Sequence, residues 1–284
     1  MPKRTLEGDA VVQDDVQSGC DEGNWFQAEK HRSEIRSFLR GPGNSERFAM
    51  IDLFGASGQM SKRWRKAGWD AFAYDIKTSK AHDVTSADGF WALCSAGKRL
   101  MTNGLIFGGP PCSLYVWISK SVHKRSEDNA FVGDTGLYKV RMSNRIVANM
   151  CVFLQELSEC KDFYTVIEQP SSSAMFKMKV TSSLAKQLEM ERVWTWMGLF
   201  GHELPKATIL TGNLPSLPTL RRVLTNASRK QIKNRQKKTG GAKFYTRDAD
   251  GKVTGNKSLQ NTAAYTAEFC TAVYKAWAKD LKAN

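Results

Sequence analysis

The 284-residue chain is poor in the features that organise many small folds. Its six cysteines (Cys20, Cys94, Cys112, Cys151, Cys160 and Cys270) never form a C-x-x-C pair, and its four histidines are scattered. Neither a disulfide framework nor a zinc site finds support in that spacing, and a reducing compartment is expected. No apolar run approaches the roughly 18 residues of a membrane span, and the N-terminus lacks the apolar stretch of a secretory signal. The expectation is a soluble nuclear or cytoplasmic protein without a membrane partner. Acidic residues are also scarce, 28 against 42 Lys and Arg, which gives a net charge of +14.

That imbalance is local. Residues 221–257 carry 12 basic and 2 acidic residues, a net +10, whereas residues 1–24 carry 2 basic and 6 acidic ones, a net −4. A basic segment opposed by an acidic tail suggests a polyanion partner, because releasing counterions from phosphates is the commonest use of such clustering. Nucleic acid is the expected partner, with Arg221, Arg222, Arg229, Lys230, Lys233, Arg235, Lys237 and Lys238 as contacts. The alternative is a solvated, flexible charged loop.

Hydrophobic residues make up 41% of the chain, enough for a sizeable core. Residues 1–23 are acidic, polar and aperiodic, and are expected to be disordered. Apolar periodicity predicts a helix over 24–40, ended by Gly41-Pro42-Gly43. Phe48 to Phe54 reads as a buried strand, followed by Gly55-Ala56-Ser57-Gly58 where a helix over 59–67 begins. Small residues at a strand-to-helix turn suit a cofactor, since exposed amides at the helix start favour an anionic group. A second strand over 69–75 ends in Asp75, 23 residues after Asp52, near the ~20-residue spacing at which an acid reaches ribose hydroxyls. No Gly-Lys-Ser/Thr follows the loop, so it is not a Walker loop.

A helix over 86–100 leads to the strand Gly104 to Phe107 and then to Gly108-Gly109-Pro110-Pro111-Cys112-Ser113. Prolines fix this turn and glycines let another molecule approach, so Cys112 is a candidate nucleophile; a small buried hydrophobe is the alternative. The loop from Leu114 to about Thr135 holds Trp117, Lys120, His123, Lys124 and Arg125, which favour substrate contact over a solvated lid. A helix over 136–160 and a strand over 163–167 follow, the strand delivering Glu168-Gln169-Pro170. Glu168 either serves the crevice or caps the Ser171-Ser172-Ser173 turn. A helix over 182–190, two runs at 192–197 and 207–210 forming an antiparallel pair, an insertion or arm at 221–257 and a helix over 266–281 complete the chain. The fold class is α/β, with residues 24–220 and 258–284 forming one domain. Trp194 and Trp196 are read as core or edge cover rather than base-stacking platforms.

Taken together, this order resembles the carbon-5 cytosine methyltransferases. Asp52-Leu53-Phe54-Gly55-Ala56-Ser57-Gly58 looks like their cofactor loop, Gly108-Gly109-Pro110-Pro111-Cys112 like their nucleophile turn, and Glu168-Gln169-Pro170 like their Glu-Asn-Val element. Asp83-Val84 is similar to their adenine contact. The resemblance covers about residues 48–170. It implies a doubly wound, mostly parallel Rossmann-like sheet and S-adenosylmethionine held by Asp52, Phe54, Gly55, Ala56, Gly58, Asp75, Asp83 and Pro110. It also implies a reaction on cytosine of DNA or RNA, in which Cys112 adds to carbon-6 while Glu168 holds the ring nitrogen.

The chain departs from the family in several places. Ala56 stands where the family has glycine, Ser113 where it mostly has Gln, and Gln169-Pro170 where it has Asn-Val. No Gln-x-Arg-x-Arg element is present, so Arg125 is the nominated substitute for its arginine. Between Leu210 and the last helix there is room for a basic arm but not for the family's usual target-recognition domain. The rival readings are a nucleic-acid-binding protein that keeps the fold without catalysis, and a methyltransferase with another acceptor.

Overall fold

The computed structural model describes residues 25–42, 45–238, 245–247, 253–255 and 263–283. The acidic segment 1–23 and the remainder of 239–262 lie outside the described residues, as does the side chain of Lys238. The chain opens with a 3-10 turn at Ala28–Lys30 and α1 (Arg32–Arg40), where one helix was expected. Then come β1 (Phe48–Leu53), α2 (Gln59–Lys66), β2 (Ala71–Tyr74), α3 (Ala87–Lys98) and β3 (Leu100–Gly108). After them lie the short α4 (Lys120–His123), α5 (Tyr138–Ser158), β4 (Phe163–Pro170), α6 (Lys179–Gln187), β5 (Glu191–Trp196) and β6 (Ala207–Gly212). The described chain ends with α7 (Asn226–Lys238), the two-stranded ribbon β7 (Tyr245–Arg247) and β8 (Val253–Gly255), and α8 (Ala267–Ala283).

Six strands form one mixed sheet in the order β2-β1-β3-β4-β6-β5. Strands β1 to β4 pair in parallel, while β6 runs antiparallel to both β4 and β5. The expected antiparallel pair is present at that edge, and the α/β class holds. Parallel strands buried on both faces need helices on both faces. Side chains of β4 alternate accordingly: Phe163 and Ile167 join α1, α3, α5 and α6 in one core, and Tyr164 and Val166 join α2 and α8 in the other.

The second core is aromatic. Trp64 of α2 and Trp277 of α8 are both fully buried, with ring centroids 5.5 Å apart, and Tyr274 meets Trp64 edge-on at 5.2 Å. This cluster fixes the C-terminal helix against the first one after the glycine loop. On the other face, Glu156 of α5 is buried between Arg32 and Arg36 of α1, at 2.6 and 2.8 Å.

Within the basic region, expected to be an insertion or arm, the described residues Asn226–Lys238 form a helix that packs onto the domain. Thr225 and Ser228 exchange hydrogen bonds as a reciprocal cap, at 2.9 and 3.2 Å, and start α7. Ile232 is buried, and Arg235 donates to the carbonyls of Gly198 and His202 at 2.7 and 2.8 Å. The helix is therefore docked on the turn between β5 and β6. Among the described residues no helix is long and apolar enough to cross a membrane.

Replacing Trp277 by Ala is expected to destabilise the fold by about 3–5 kcal/mol through cavity formation. Denaturant unfolding monitored by circular dichroism measures the loss.

Candidate active site

The carboxyl ends of β1 to β4 share one edge of the sheet, because Leu53 aligns with both Tyr74 and Gly108, and Gly108 aligns with Ile167. Glu168 pairs with Leu210, and Trp196 with Ala207, so the start of β6 and the end of β5 reach the same edge. In an open α/β sheet this is where loops converge on a ligand.

The first loop is held from beneath. Asp52 is only 1% exposed, and its Oδ2 accepts the Ser61 N–H at 3.0 Å, while Oδ1 has no hydrogen-bond partner among the described residues. Gly55 passes directly over this carboxylate, which occupies the place a Cβ would need. Phe54 takes a left-handed conformation with φ of 62°, its N–H donating to Tyr74 O at 2.7 Å, and Gly58 opens α2 with φ of 60°. Ala56 is exposed at the tip. Burial pushes the Asp52 carboxyl up to about 6, against the lowering effect of the Ser61 hydrogen bonds and with a smaller push from Asp75. Asp52 supports the loop from below; it does not line the crevice as a cofactor contact was expected to do.

Asp75 and Asp83 each turn back on their own loops. Asp75 Oδ1 accepts the Lys77 N–H at 2.7 Å, and Asp83 Oδ1 accepts the N–H and the hydroxyl of Thr85 at 2.9 and 2.7 Å. Tyr74 and His82, their neighbours, stack with centroids 5.0 Å apart, which brings the two loops together. Ile76, directly after Asp75, exposes its side chain at this end of the sheet.

The cysteine turn is clamped from both sides. Gly109 N–H donates to Leu53 O at 3.0 Å, and Pro110 O accepts Gln169 Nε2 at 2.8 Å. Gln169 is itself fixed by the Ser173 hydroxyl, which donates to its Oε1 at 2.8 Å. Strand β4 extends through Pro170, three residues further than the sequence predicts, so Glu168 and Gln169 point to opposite faces. Gln169 reaches the proline turn, and Glu168 shares the face covered by α8.

Glu168 is 6% exposed. Its Oε2 accepts the Tyr265 hydroxyl at 3.1 Å, and its Oε1 faces the Lys206 ammonium at 3.5 Å without a hydrogen bond. Tyr265 packs between Phe107 and Phe269, and its hydroxyl would lie 2.5 Å from a Cβ on Gly109. A side chain at position 109 would displace this hydroxyl. Burial raises the half-buried Cys112 thiol above its usual value; Glu168 adds to the rise and Lys206 opposes it. Cys112, Glu168, Lys206 and Tyr265 are therefore one electrostatic group.

Sequence reasoning missed Lys206 and Tyr265. Lys206 follows Pro205 in a turn and carries no local pattern. Tyr265 continues backwards the four-residue spacing of Phe269, Val273 and Trp277, so that stripe could have revealed it.

Arg125 does not enter the crevice. It is buried: Nε donates to Leu114 O at 2.7 Å, Nη1 to Phe131 O and Val132 O at 2.7 and 2.9 Å, and Nη2 to the Ser143 hydroxyl at 3.1 Å. Its guanidinium also stacks 4.0 Å from the Tyr115 ring. With its donors spent on loop carbonyls and Ser143, it is a framework residue, which corrects the expectation of a catalytic arginine. His123 is similarly built in, its Nδ1 accepting the Arg125 N–H at 3.1 Å. Arg235 is engaged in docking α7, whereas Arg221, Arg222, Arg229, Lys230, Lys233 and Lys237 are exposed. Arg222 covers the Phe200 ring at 5.1 Å. Among the described residues no group of His, Cys, Asp and Glu is arranged to hold a metal ion.

Comparison with protein-family models and with curated proteins finds no match for this chain.

Two outcomes test the electrostatics. The raised Asp52 carboxyl binds its proton more tightly in the folded state, so stability falls as pH rises from the ordinary 3.8 through about 6, with a limiting slope of about 1.4 kcal/mol per pH unit. Asp52→Asn should flatten this part of a stability-versus-pH curve. For Cys112, Lys206→Ala should move iodoacetamide alkylation to higher pH and Glu168→Gln to lower pH, read by mass spectrometry of the Cys112 peptide.

Proposed function

We propose that the chain is an S-adenosylmethionine-dependent methyltransferase acting on carbon-5 of cytosine in nucleic acid. The observation that carries the reading is the convergence of Cys112 with a buried Glu168, fixed by Lys206 and Tyr265, beside a glycine loop at the carboxyl edge of the sheet. A methyltransferase-like Rossmann arrangement is the finer fold reading that goes with it, supported by the strand order and the lone antiparallel β6.

The residues at the β1 and β2 ends fit the cofactor. Asp75 spends Oδ1 on its own turn, which leaves Oδ2 for ribose hydroxyls, and the exposed Ile76 beside it offers an apolar surface to a flat ring. The open turn at Phe54 to Gly58, with Pro110 across from it, would hold the remainder. When bound, the cofactor supplies an electrophilic methyl group.

Each protein group then has a distinct task. The Cys112 thiolate adds to carbon-6 of the ring, which makes carbon-5 nucleophilic. Glu168 holds ring nitrogen-3 and stabilises the charge that reaches it by conjugation when carbon-6 is attacked. Lys206 supplies the positive charge expected of an arginine, from the turn that leads into β6, and so takes the role expected of Arg125. After transfer, a solvent water takes the proton from carbon-5, the electron pair of that bond restores the carbon-5–carbon-6 double bond, and the carbon–sulfur bond breaks, returning the thiolate. Tyr265 holds Glu168 in position throughout.

A labelled-methyl transfer assay across DNA, RNA and protein acceptors tests the reading. Cys112→Ser should abolish transfer while isothermal titration still detects cofactor binding, and Lys206→Ala should lower turnover by roughly 100-fold. Undiminished turnover by Cys112→Ser would sink the mechanism. A chain that binds nucleic acid but not the cofactor would favour the non-catalytic rival.

A further inference from the structure

We propose that the acceptor is single-stranded nucleic acid, laid along the carboxyl edge of the sheet between Trp117 on one side of the Cys112 crevice and the lysine stripe of α7 on the other. The proposal rests on the reading of the crevice as a site for a nucleobase, and adds to it the state of the strand that delivers the base.

Trp117 is 66% exposed, and Ile118 and Val122 beside it are exposed as well. A large indole left in water five residues after the candidate nucleophile needs an explanation. Its turn is not loose: the Ser119 hydroxyl donates to Ser113 O and to Val116 O, and Tyr115 is tied to Cys112 and Ala174 through its backbone. The structure thus presents a flat aromatic surface at a fixed place beside the crevice.

On the other side, α7 uses Ile232 and Arg235 to dock on the turn that leads into Lys206. Lys230, Lys233 and Lys237 recur at i, i+3 and i+7 on the opposite, exposed face. They are spaced about 4.5 and 6 Å along the helix axis. None of the three pairs with a carboxylate among the described residues, and α7 contains no acidic residue. A stripe of unpaired cations joined to an aromatic platform is the combination that holds a nucleic acid strand, through its phosphates and an unpaired base.

The same features disfavour a duplex. Bases in a duplex are stacked on both faces, so Trp117 has no partner there until a base is extruded, at a cost of a few kcal/mol. Apart from the β7–β8 ribbon, the described elements belong to one sheet with its helices or pack onto it, so no second globular unit among them stands across the crevice to grip a complementary strand.

The test is fluorescence anisotropy with the full chain, without cofactor, using a labelled cytosine-containing oligonucleotide alone and annealed to its complement. The single strand should bind at least about ten-fold more tightly than the duplex. Trp117→Ala should weaken single-strand binding by about 5- to 100-fold and leave duplex binding unchanged. Trp194, 52% exposed on the outer strand but two residues back from the crevice edge, is the control, and Trp194→Ala should have no effect. The triple change Lys230→Ala, Lys233→Ala, Lys237→Ala should reduce the slope of log affinity against log salt by about 2. Equal or tighter binding of the duplex, or equal effects of the two tryptophan variants, overturns the proposal. Because methyl transfer is not read, failure of the catalytic reading leaves these outcomes standing, and a duplex preference leaves the catalytic reading standing.

Discussion

A carboxylate taken out of water must find partners, and Glu168 finds two that come from distant parts of the chain. Tyr265 arrives with the C-terminal helix and Lys206 with the turn into the antiparallel strand β6, so the site is complete only once the last helix has packed against α2. The aromatic cluster of Trp64, Tyr274 and Trp277 performs that packing. Removing one partner of such a buried pair costs about 3–5 kcal/mol, so the fold and the electrostatics of the site share a dependence on the same contacts.

A second layer of support lies under the loops. Asp52 props Gly55 from below, Gln169 clamps Pro110, and Arg125 gathers the carbonyls of the segment after Cys112. Each is a polar group spent on backbone rather than left for a ligand. Their effect is to fix the turns on either side of Cys112, so that Trp117 protrudes from a supported segment.

The parts legible in the sequence were the local ones. Apolar strands ending in Gly55, Asp75, Cys112 and Glu168 announce themselves through composition, because a buried parallel strand and the turn after it are written in adjacent residues. Strand ends were less legible: β4 runs on to Pro170 because β6 pairs with it there, a partner about 40 residues away. The same limit hid Lys206 and Tyr265, whose importance lies in what they face. It also misdirected Arg125, since a lone arginine in a polar loop looks identical whether its donors are free or committed to backbone. The basic region was legible as charge but not as structure, because the docking of α7 depends on one buried isoleucine and one arginine within a run of cations.

On the proposed reading, the arrangement also explains how a thiol raised by burial becomes a nucleophile. Glu168 holds the Cys112 proton on, and Lys206 alone does not outweigh burial and that negative charge. A cytosine ring in the crevice would engage Glu168 through a proton taken from solvent and shared with nitrogen-3, so the carboxylate's charge would be partly neutralised and its effect on the sulfur reduced. Lys206 would then act on the thiol with less opposition. The nucleophile would be activated by the arrival of its target and kept protonated otherwise, which would protect a half-buried edge cysteine from adventitious alkylation and oxidation in the absence of substrate.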